Sequence, residues 1–424
     1  MFGFANALLL ALFAAAGVDL VLALHRKAVG QLFTVPHYLF GDWGGEARAR
    51  WGQRAFLLAL MLYEFTVVFC NSMARQNWAW VQGVMSPVLE WLAFLCFGAK
   101  ILFGTRYTWR ELLAGGALYF IARWVYFNSQ NIWWIGIVVA VLAAKDVPLR
   151  RPLQVYFASG CAAMAVVLAL HFAGIVAPDL TSERMGALRG TYGYGHPNTF
   201  GGLVFGLVLA YALLRAQKVR WVDCLLVFAI GVFLLVGPAS RSAALCTLAL
   251  AVGLVFCRLR AGHSVPRWWP GTCAGMVGLT AAVSYLLPLL VIKVGPWNND
   301  IGPAWLAKLD SLLTCRISLT WMAYRLLDVK IAGQVFNWPT VDNSFAFALF
   351  QFGPVVAALL GILFAAALWG HAKQGRRVEV CCLFAMLAYA YMEVQPFHLT
   401  TNPTALLLCG AVFAQTSARW QKIE

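Results

Sequence analysis

Long apolar stretches constrain this chain more than any other feature of its sequence. A helix that crosses a bilayer needs about 20 consecutive, mostly apolar residues. Thirteen segments approach that length: 3–23, 54–71, 81–103, 110–124, 130–145, 153–177, 198–214, 221–237, 241–257, 271–293, 344–369, 378–394 and 403–418. Hydrophobic residues occupy 62% of the 424 positions and charged residues only 12%, about half the charged share of a soluble domain. The sequence therefore predicts an all-α fold, a polytopic integral membrane helical bundle of about 12–13 transmembrane helices.

The apolar segments and the long loops between them divide the chain into four regions. These are the N-terminal helices (1–152), the central helices (153–293), a large extracytoplasmic loop (294–343) and the last three helices (344–424). Residues 3–23 follow no basic residue and precede no clear cleavage site, which favours a retained first span over a signal peptide. In the large loop, apolar residues from Ile317 to Leu327 recur at helical spacing, which predicts an amphipathic helix at the membrane interface.

The basic residues alternate between loops in the way that sets the orientation of a membrane protein. Of the 32 lysines and arginines, 22 fall on one side, which the positive-inside rule assigns to the cytoplasm. This assignment puts the N-terminus outside and the C-terminus inside. The net charge of +15 is spread over short loops between spans, which favours membrane lipids over nucleic acid as its partner. The other ten basic residues fall on the outer side, against the bias, and call for a local reason.

Polar residues of the predicted outer side gather in four short segments, each near the end of an apolar span. The most informative segment runs from Arg189 to Gly202 and combines basic, imidazole and amide groups with glycines and a proline. Such groups are costly in lipid unless they face a protein interior or water, so they indicate a cavity. The polar residues singled out in the four segments are Arg184, Arg189, His196 and Asn198; Ser240, Arg241 and Ser242; Arg316; and Asp342 and Asn343.

Several arginines and one histidine on the same side suit a ligand that carries phosphate. Arginine stays charged and binds phosphate in a bidentate manner. His196 is either a general base or a hydrogen-bond donor to the same anion, and Asp342 is either the rival base or only a helix N-cap. The serines on either side of Arg241 are expected to cap its helix and present its positive end to an anion. Arg316 either binds the ligand or snorkels from an interfacial helix.

Metal and nucleotide chemistry have no signature in the sequence. No Gly-x-x-x-x-Gly-Lys-Ser/Thr loop and no paired-histidine or acidic metal motif is present. The eleven cysteines show no zinc-ligand spacing. We therefore expect no metal and no cofactor, with any phosphate bound by arginines. In the last outer loop, Glu393 and His398 either join the cavity or are solvated loop residues.

At these residues the sequence resembles the superfamily of O-antigen ligases and Wzy-type polysaccharide polymerases. The similar pieces are the His-Pro-Asn-x-x-Gly core within Arg189–Gly201, Ser240-Arg241-Ser242 before an apolar helix, Arg316 in a large outer loop, and Val341–Phe345 at the start of a late span. Their order, spacing and shared outer location carry the resemblance, which covers roughly residues 180–400.

The resemblance implies a membrane glycosyltransferase of GT-C type at the outer face of a bacterial plasma membrane. Such enzymes join glycans carried on undecaprenyl pyrophosphate, without a metal, and release the lipid pyrophosphate. The arginines would hold the donor pyrophosphate, a base would activate the acceptor hydroxyl, and apolar walls would accommodate the polyprenyl chain. By this resemblance the catalytic candidates are His196, Arg241 and Asp342, and the substrate-binding candidates are Arg184, Arg189, Asn198, Arg316 and Asn343.

Three functions fit these expectations. The first is a polymerase that joins lipid-linked repeat units into capsule, exopolysaccharide or O-antigen, with flippase and chain-length regulator proteins as candidate partners. The second is an O-antigen ligase that transfers glycan to lipid A core. The third, from another class, is a transporter or flippase of a lipid-linked glycan. The prominent histidine lies in the Pro-Asn loop rather than in the large late loop, which favours the polymerase over the ligase.

Overall fold

The computed structural model describes residues 45–176, 182–184, 187–291 and 302–413. Over these ranges the chain is an all-α polytopic membrane helical bundle, as the sequence predicts. Seven of the described helices are long and apolar enough to cross a membrane, and three shorter apolar segments accompany them. The predicted first span, residues 3–23, and the end of the last predicted span lie outside the described residues.

The helices follow the predicted order. In chain order they are α1 (Gly45–Cys70), α2 (Val81–Phe103, opening with a π turn), α3 (Trp109–Ser129), α4 (Trp133–Ala143), α5 (Arg150–Phe172), α6 (Pro197–Leu214), α7 (Trp221–Val236), α8 (Arg241–Leu259), α9 (Trp269–Leu290, ending in a 3-10 turn), α10 (Ala304–Leu312), α11 (Arg316–Leu326), α12 (Ser344–Phe347, continued by a π turn over Ala348–Phe352), α13 (Pro354–Lys373) and α14 (Arg377–Met392). A one-turn helix, Ala74–Asn77, follows α1, a 3-10 turn spans Gln395–Phe397, and the described chain ends in a 3-10 helix, Pro403–Leu408, and a short helix, Cys409–Val412.

Local sequence signals explain where several helices begin. Thr108 and Glu111 form a capping box at the start of α3. At the start of α7, the backbone N–H of Arg220 donates to the Asp223 carboxylate at 2.7 Å. Helix α1 already includes residues 45–53, ahead of the predicted start at 54, so it extends beyond the apolar segment into residues that include Arg48 and Arg50.

Two of the predicted spans are not continuous helices. The span 344–369 is interrupted at Gly353, whose φ of +88° is open to glycine, and Pro354 then starts α13. A Cβ atom at Gly353 would lie 2.1 Å from the carbonyl oxygen of Ile331, so the chains meet backbone to backbone here. The predicted span 403–418 begins instead as the 3-10 helix Pro403–Leu408. Irregular backbone at membrane depth is tolerated where protein surrounds it, and all six residues of this turn are buried.

The described residues also contain a short β-hairpin that the sequence did not predict. Strands β1 (Ser182–Arg184) and β2 (Ala187–Arg189) pair in antiparallel fashion, with Ser182 opposite Arg189. The loop beyond the hairpin is tied to the end of α1, where the N–H of Met73 donates to the carbonyl of Gly193 at 2.8 Å.

Several helices pack directly against one another, and residues of different predicted inner loops are in contact. Helix α1 packs against α2 and α5, α7 against α8, and α9 against α13. At the predicted inner end, Lys100 Nζ donates to the carbonyl of Lys145 at 2.9 Å, and Arg377 Nη1 donates to the carbonyl of Arg260 at 2.6 Å. Residues of the predicted outer segments also contact one another, and together they form the candidate site.

Candidate functional site

Glu393 is the centre of a hydrogen-bonded cluster at the predicted outer end of the bundle. It directly follows α14 and is only 4% exposed. Its Oε1 atom accepts hydrogen bonds from Asn198 Nδ2 at 3.0 Å, Ser242 Oγ at 2.8 Å and Arg316 Nη2 at 2.6 Å. Three of the predicted polar segments therefore converge on one carboxylate oxygen.

The start of α11 fixes the position of Arg316. The preceding residue, Cys315, adopts a left-handed conformation with φ of +62° and makes no side-chain cap. Asp310, fully buried on α10, replaces the missing cap, because its Oδ1 accepts from the backbone N–H groups of Ile317 at 2.7 Å and Ser318 at 3.2 Å. A helix is therefore present over the predicted stretch, as Arg316–Leu326, while its location at the membrane interface stays a prediction. Its first side chain, Arg316, contacts Glu393.

The Arg316 guanidinium is buried and has five polar neighbours, one of them Ser242, whose Oγ accepts from Nη2 at 3.4 Å. Nη1 donates to the carbonyl of Leu313 at 2.9 Å, and Nε donates to the carbonyl of Met392. Nη2 forms the short ion pair with Glu393 and lies 4.0 Å from Asp342 Oδ2. An arginine held in this way does not snorkel from an interfacial helix; it points into the protein.

Arg189 joins the same cluster through Asn198. The Arg189 side chain is buried, and its Nη2 donates to Asn198 Oδ1 at 3.0 Å and to the carbonyl of Ala239 at 3.1 Å. Because the amide group of Asn198 donates in turn to Glu393, it links Arg189 to the Arg316 pair. Two arginines far apart in sequence thus lie on one polar network.

His196 caps α6 in a way that fixes its tautomer. Its Nδ1 accepts from the backbone N–H of Asn198 at 3.1 Å. A neutral imidazole that accepts at Nδ1 carries its proton on Nε2. Burial lowers the pKa of His196 and the charge of Arg189 lowers it further, against an opposite effect of Asp342. The neutral ring therefore offers an Nε2–H donor to its surroundings.

The two glycines after the His-Pro-Asn core allow close packing beneath the site. A Cβ atom at Gly201 would lie 2.2 Å from Ser240 Oγ and 2.5 Å from Ser240 Cβ. A Cβ atom at Gly202 would lie 1.8 Å from Gln395 Oε1. Glycine at both positions lets α6 approach the start of α8 and the loop after α14.

The remaining candidates lie at the edge of this cluster or serve the backbone. Arg241 is the first residue of α8 and is exposed, but the expected serine cap is wrong, because Ser240 makes no cap bond and Ser242 donates to Glu393. Arg184 lies at the turn end of the hairpin, away from the position of Arg189, and its side chain lies outside the described residues.

Asn343, rather than Asp342, caps α12. Its Oδ1 accepts from the N–H groups of Phe345 at 2.9 Å and Ala346 at 3.1 Å, and its Nδ2 donates to Ser284 Oγ at 3.0 Å. Both the oxygen and the nitrogen of the Asn343 amide therefore make hydrogen bonds within the protein. They leave the Asp342 carboxylate, 31% exposed, directed to Arg316.

The sequence left Glu393 among the open alternatives, and the structure places it at the centre. Burial raises its pKa to about 7, with Arg316 opposing that rise and Asp342 adding to it. The available signal was a carboxylate on a side with an excess of arginine. His398 lies elsewhere, with its ring centroid 4.0 Å from that of Trp133, and burial lowers its pKa to about 4.

An apolar groove adjoins the polar cluster. It has a volume of about 620 Å³, its open side included, and is lined from α9, α12, α13 and α14 by side chains such as Phe345, Phe364 and Met386. Ser344 lines the groove and donates to the carbonyl of Glu393 at 2.5 Å, so the groove and the cluster share a wall.

The cluster combines two buried arginines, a histidine N–H donor and the partly exposed carboxylate of Asp342. Among the residues that the structure describes, no group of three or more His, Cys, Asp or Glu side chains could hold a metal ion. Comparison of the chain with models of known protein families, with curated proteins and with solved structures finds no match.

Proposed function

We propose that this protein is a membrane glycosyltransferase that polymerises undecaprenyl-pyrophosphate-linked repeat units at the outer face of a bacterial plasma membrane. One observation carries the proposal: Arg189 and Arg316, 127 positions apart in the chain, meet on one buried network beside the half-exposed carboxylate of Asp342. Two buried arginines on one network suit a ligand with two phosphate groups, such as a pyrophosphate. The excess of basic residues on the opposite side supports the outer location.

The reaction needs charge stabilisation rather than a bound metal. The acceptor hydroxyl oxygen bonds to the anomeric carbon of the donor sugar, and the bond from that carbon to the pyrophosphate oxygen breaks. The hydroxyl proton passes to a base, and the lipid pyrophosphate leaves with the bonding electrons. Arg316 and Arg189, already held by hydrogen bonds, stabilise the negative charge on the leaving group without reorganisation.

Asp342 is the residue we assign as the base. Its carboxylate does not cap α12, since Asn343 does so, and it is exposed enough to meet a substrate hydroxyl. His196 is a hydrogen-bond donor rather than a proton acceptor, because its Nδ1 already accepts a hydrogen bond and its Nε2 carries the proton. We assign His196 to hold the pyrophosphate or a sugar oxygen, and Glu393 to position Arg316 and Asn198.

The neighbouring groove supports a lipid-linked donor. It is apolar, opens beside Ser344 and Glu393, and lies between spanning helices. A polyprenyl chain in this groove would bring its pyrophosphate to the end where the arginines meet. The gathering of Arg189, Arg241 and Arg316 at one end also favours an enzyme over a transporter, whose cationic groups are expected near the membrane midplane.

The test mixes purified protein with undecaprenyl-pyrophosphate-linked repeat units and separates the products by glycan length. Wild type should give a ladder of lengthened glycans, and Arg316→Ala and Arg189→Ala should slow it about 10²–10³-fold, as for the loss of one preorganised donor. Arg325→Ala is the matched control, because Arg325 is an exposed arginine on the same helix as Arg316.

The outcomes separate the three functions. An unchanged ladder with Arg316→Ala, or no lengthening by wild type, contradicts the polymerase. Transfer of the glycan to lipid A core, without lengthening, identifies a ligase. Movement of the intact lipid-linked unit across a vesicle bilayer, with no new glycosidic bond, identifies a transporter.

A further inference from the structure

Glu64 is an acidic residue inside a membrane-spanning helix and is not part of the arginine cluster. It belongs to α1 and is fully buried, with 0% exposure. Neither of its carboxylate oxygens has a hydrogen-bond partner among the described residues. An ionisable group within a span is costly and marks a functional site by default.

Helix α5 closes over this carboxyl group at a glycine. A Cβ atom at Gly160 would lie 2.9 Å from Glu64 Oε1 and 2.7 Å from the side chain of Leu207 on α6. The acid is thus enclosed between α1, α5 and α6. The titratable groups that interact electrostatically with it are Tyr63 on its own helix, Tyr156 and Cys161 on α5, and Tyr194 in the loop before α6.

Glu64 has no positively charged partner within the described parts of the chain. Burial is the only influence acting on its ionisation, and no lysine, arginine or histidine contributes. An isolated ionised carboxylate in such surroundings costs several kcal/mol even after relaxation. The neutral, protonated acid is therefore the form that fits this enclosure.

Asp223 shows what an ionised buried carboxylate looks like in the same protein. It is 3% exposed, yet it accepts hydrogen bonds from Tyr211 at 2.5 Å, from Arg215 Nε at 3.2 Å and from the backbone N–H of Arg220 at 2.7 Å. Glu64 is as deeply buried and has none of these donors. The difference between the two acids lies in their partners rather than in their depth.

We propose that Glu64 is an occluded proton-binding site within the membrane bundle, separate from the arginine cluster. A proton needs no further ligand, whereas a metal cation needs several, and the described residues contain no group of three or more His, Cys, Asp or Glu side chains that could supply them. The bound proton keeps α1, α5 and α6 packed without an uncompensated charge.

The position of this site links it to the loop that holds Arg189 and His196. Tyr194 in this loop is fully buried and forms a β-bridge with Ser72, just beyond the end of α1, the helix that carries Glu64. Loss of the proton from Glu64 would place a negative charge beneath this loop. Occupancy by a proton is therefore coupled to the packing under the candidate site.

Infrared difference spectroscopy tests the protonation directly, because the C=O stretch of a carboxylic acid is separate from the bands of a carboxylate. The spectrum of wild type minus Glu64→Gln should show one acid band that persists at pH 8 and shifts in D₂O. The matched control, wild type minus Asp223→Asn, should show carboxylate bands only.

Two results would overturn the proposal. The first is a Glu64→Gln difference spectrum that contains carboxylate bands in place of the acid band. The second is an acid band that disappears when sodium or lithium is added at constant pH, which would make this a cation site. The readout needs no substrate, so it stands apart from the success or failure of the polymerase assay.

Discussion

The free energy of unfolding should depend on pH through Glu393, and replacing Arg316 should change that dependence above pH 7. We consider Arg316→Met, which keeps the length of the side chain and removes its charge. Burial raises the pKa of Glu393 from 4.5 to about 7 even with Arg316 in place. At about 1.4 kcal/mol per pKa unit, ionising Glu393 in the folded wild type costs about 3 kcal/mol relative to the unfolded chain.

The sign follows from the raised pKa. In wild type, the contribution of Glu393 to the free energy of unfolding is greatest below about pH 4.5. It falls as pH rises and levels off above about pH 7. Without Arg316 the pKa of Glu393 rises further, so in the variant the fall continues above pH 7 by about 1.4 kcal/mol per pH unit. The two curves should therefore run parallel below pH 7 and diverge above it.

The assay is denaturant unfolding of both proteins in detergent micelles between pH 5 and pH 9, repeated in a Glu393→Gln background. We expect the free energies of unfolding to diverge by up to about 3 kcal/mol by pH 9 in the first pair and not in the second pair, which lacks the Glu393 carboxyl group. Parallel curves over the whole range would refute the reasoning, as would a divergence that survives in the Glu393→Gln background.

Two further substitutions test how the backbone positions the site. Gly201→Ala puts a Cβ atom 2.5 Å from Ser240 Cβ, so we expect overpacking to lower the free energy of unfolding by about 1–3 kcal/mol. The control is Gly98→Ala, which has open space around its Cβ position and should stabilise its helix by about 0.5–1 kcal/mol. Equal effects of the two substitutions in unfolding experiments would contradict this account. Asp310→Ala removes the cap of α11, which should lower the free energy of unfolding by about 1–2 kcal/mol and slow glycan lengthening. The control Asp328→Ala, at an exposed loop position, should have neither effect. Full activity of the Asp310→Ala variant would show that the position of Arg316 does not depend on the cap.

The helical bundle was predictable because lipid leaves few alternatives to a chain this apolar. Each predicted span from 81–103 to 378–394 has a helical counterpart. The failures have local causes. The break at Gly353 depends on the backbone of Ile331, which reaches it only in the folded chain.

The candidate site was predictable as a set of segments but not as a set of bonds. A basic residue on the outer side works against the topological bias, and that conflict identified Arg189 and Arg316. The sequence did not show which carboxylate would answer them, since Glu393 and Asp342 look alike as loop acids. Nor did it show that Asn343 is used up as a cap, because capping depends on where the helix begins.

The bonds of Arg316 also limit how a pyrophosphate can approach it. A guanidinium has five N–H groups, and Leu313, Met392 and Glu393 already occupy three sides of this one. The side toward Asp342, 4.0 Å away, makes no hydrogen bond to that carboxylate. A pyrophosphate that binds there brings negative charge next to the Asp342 carboxylate. The leaving group would therefore bind on the side of Arg316 that faces the proposed base.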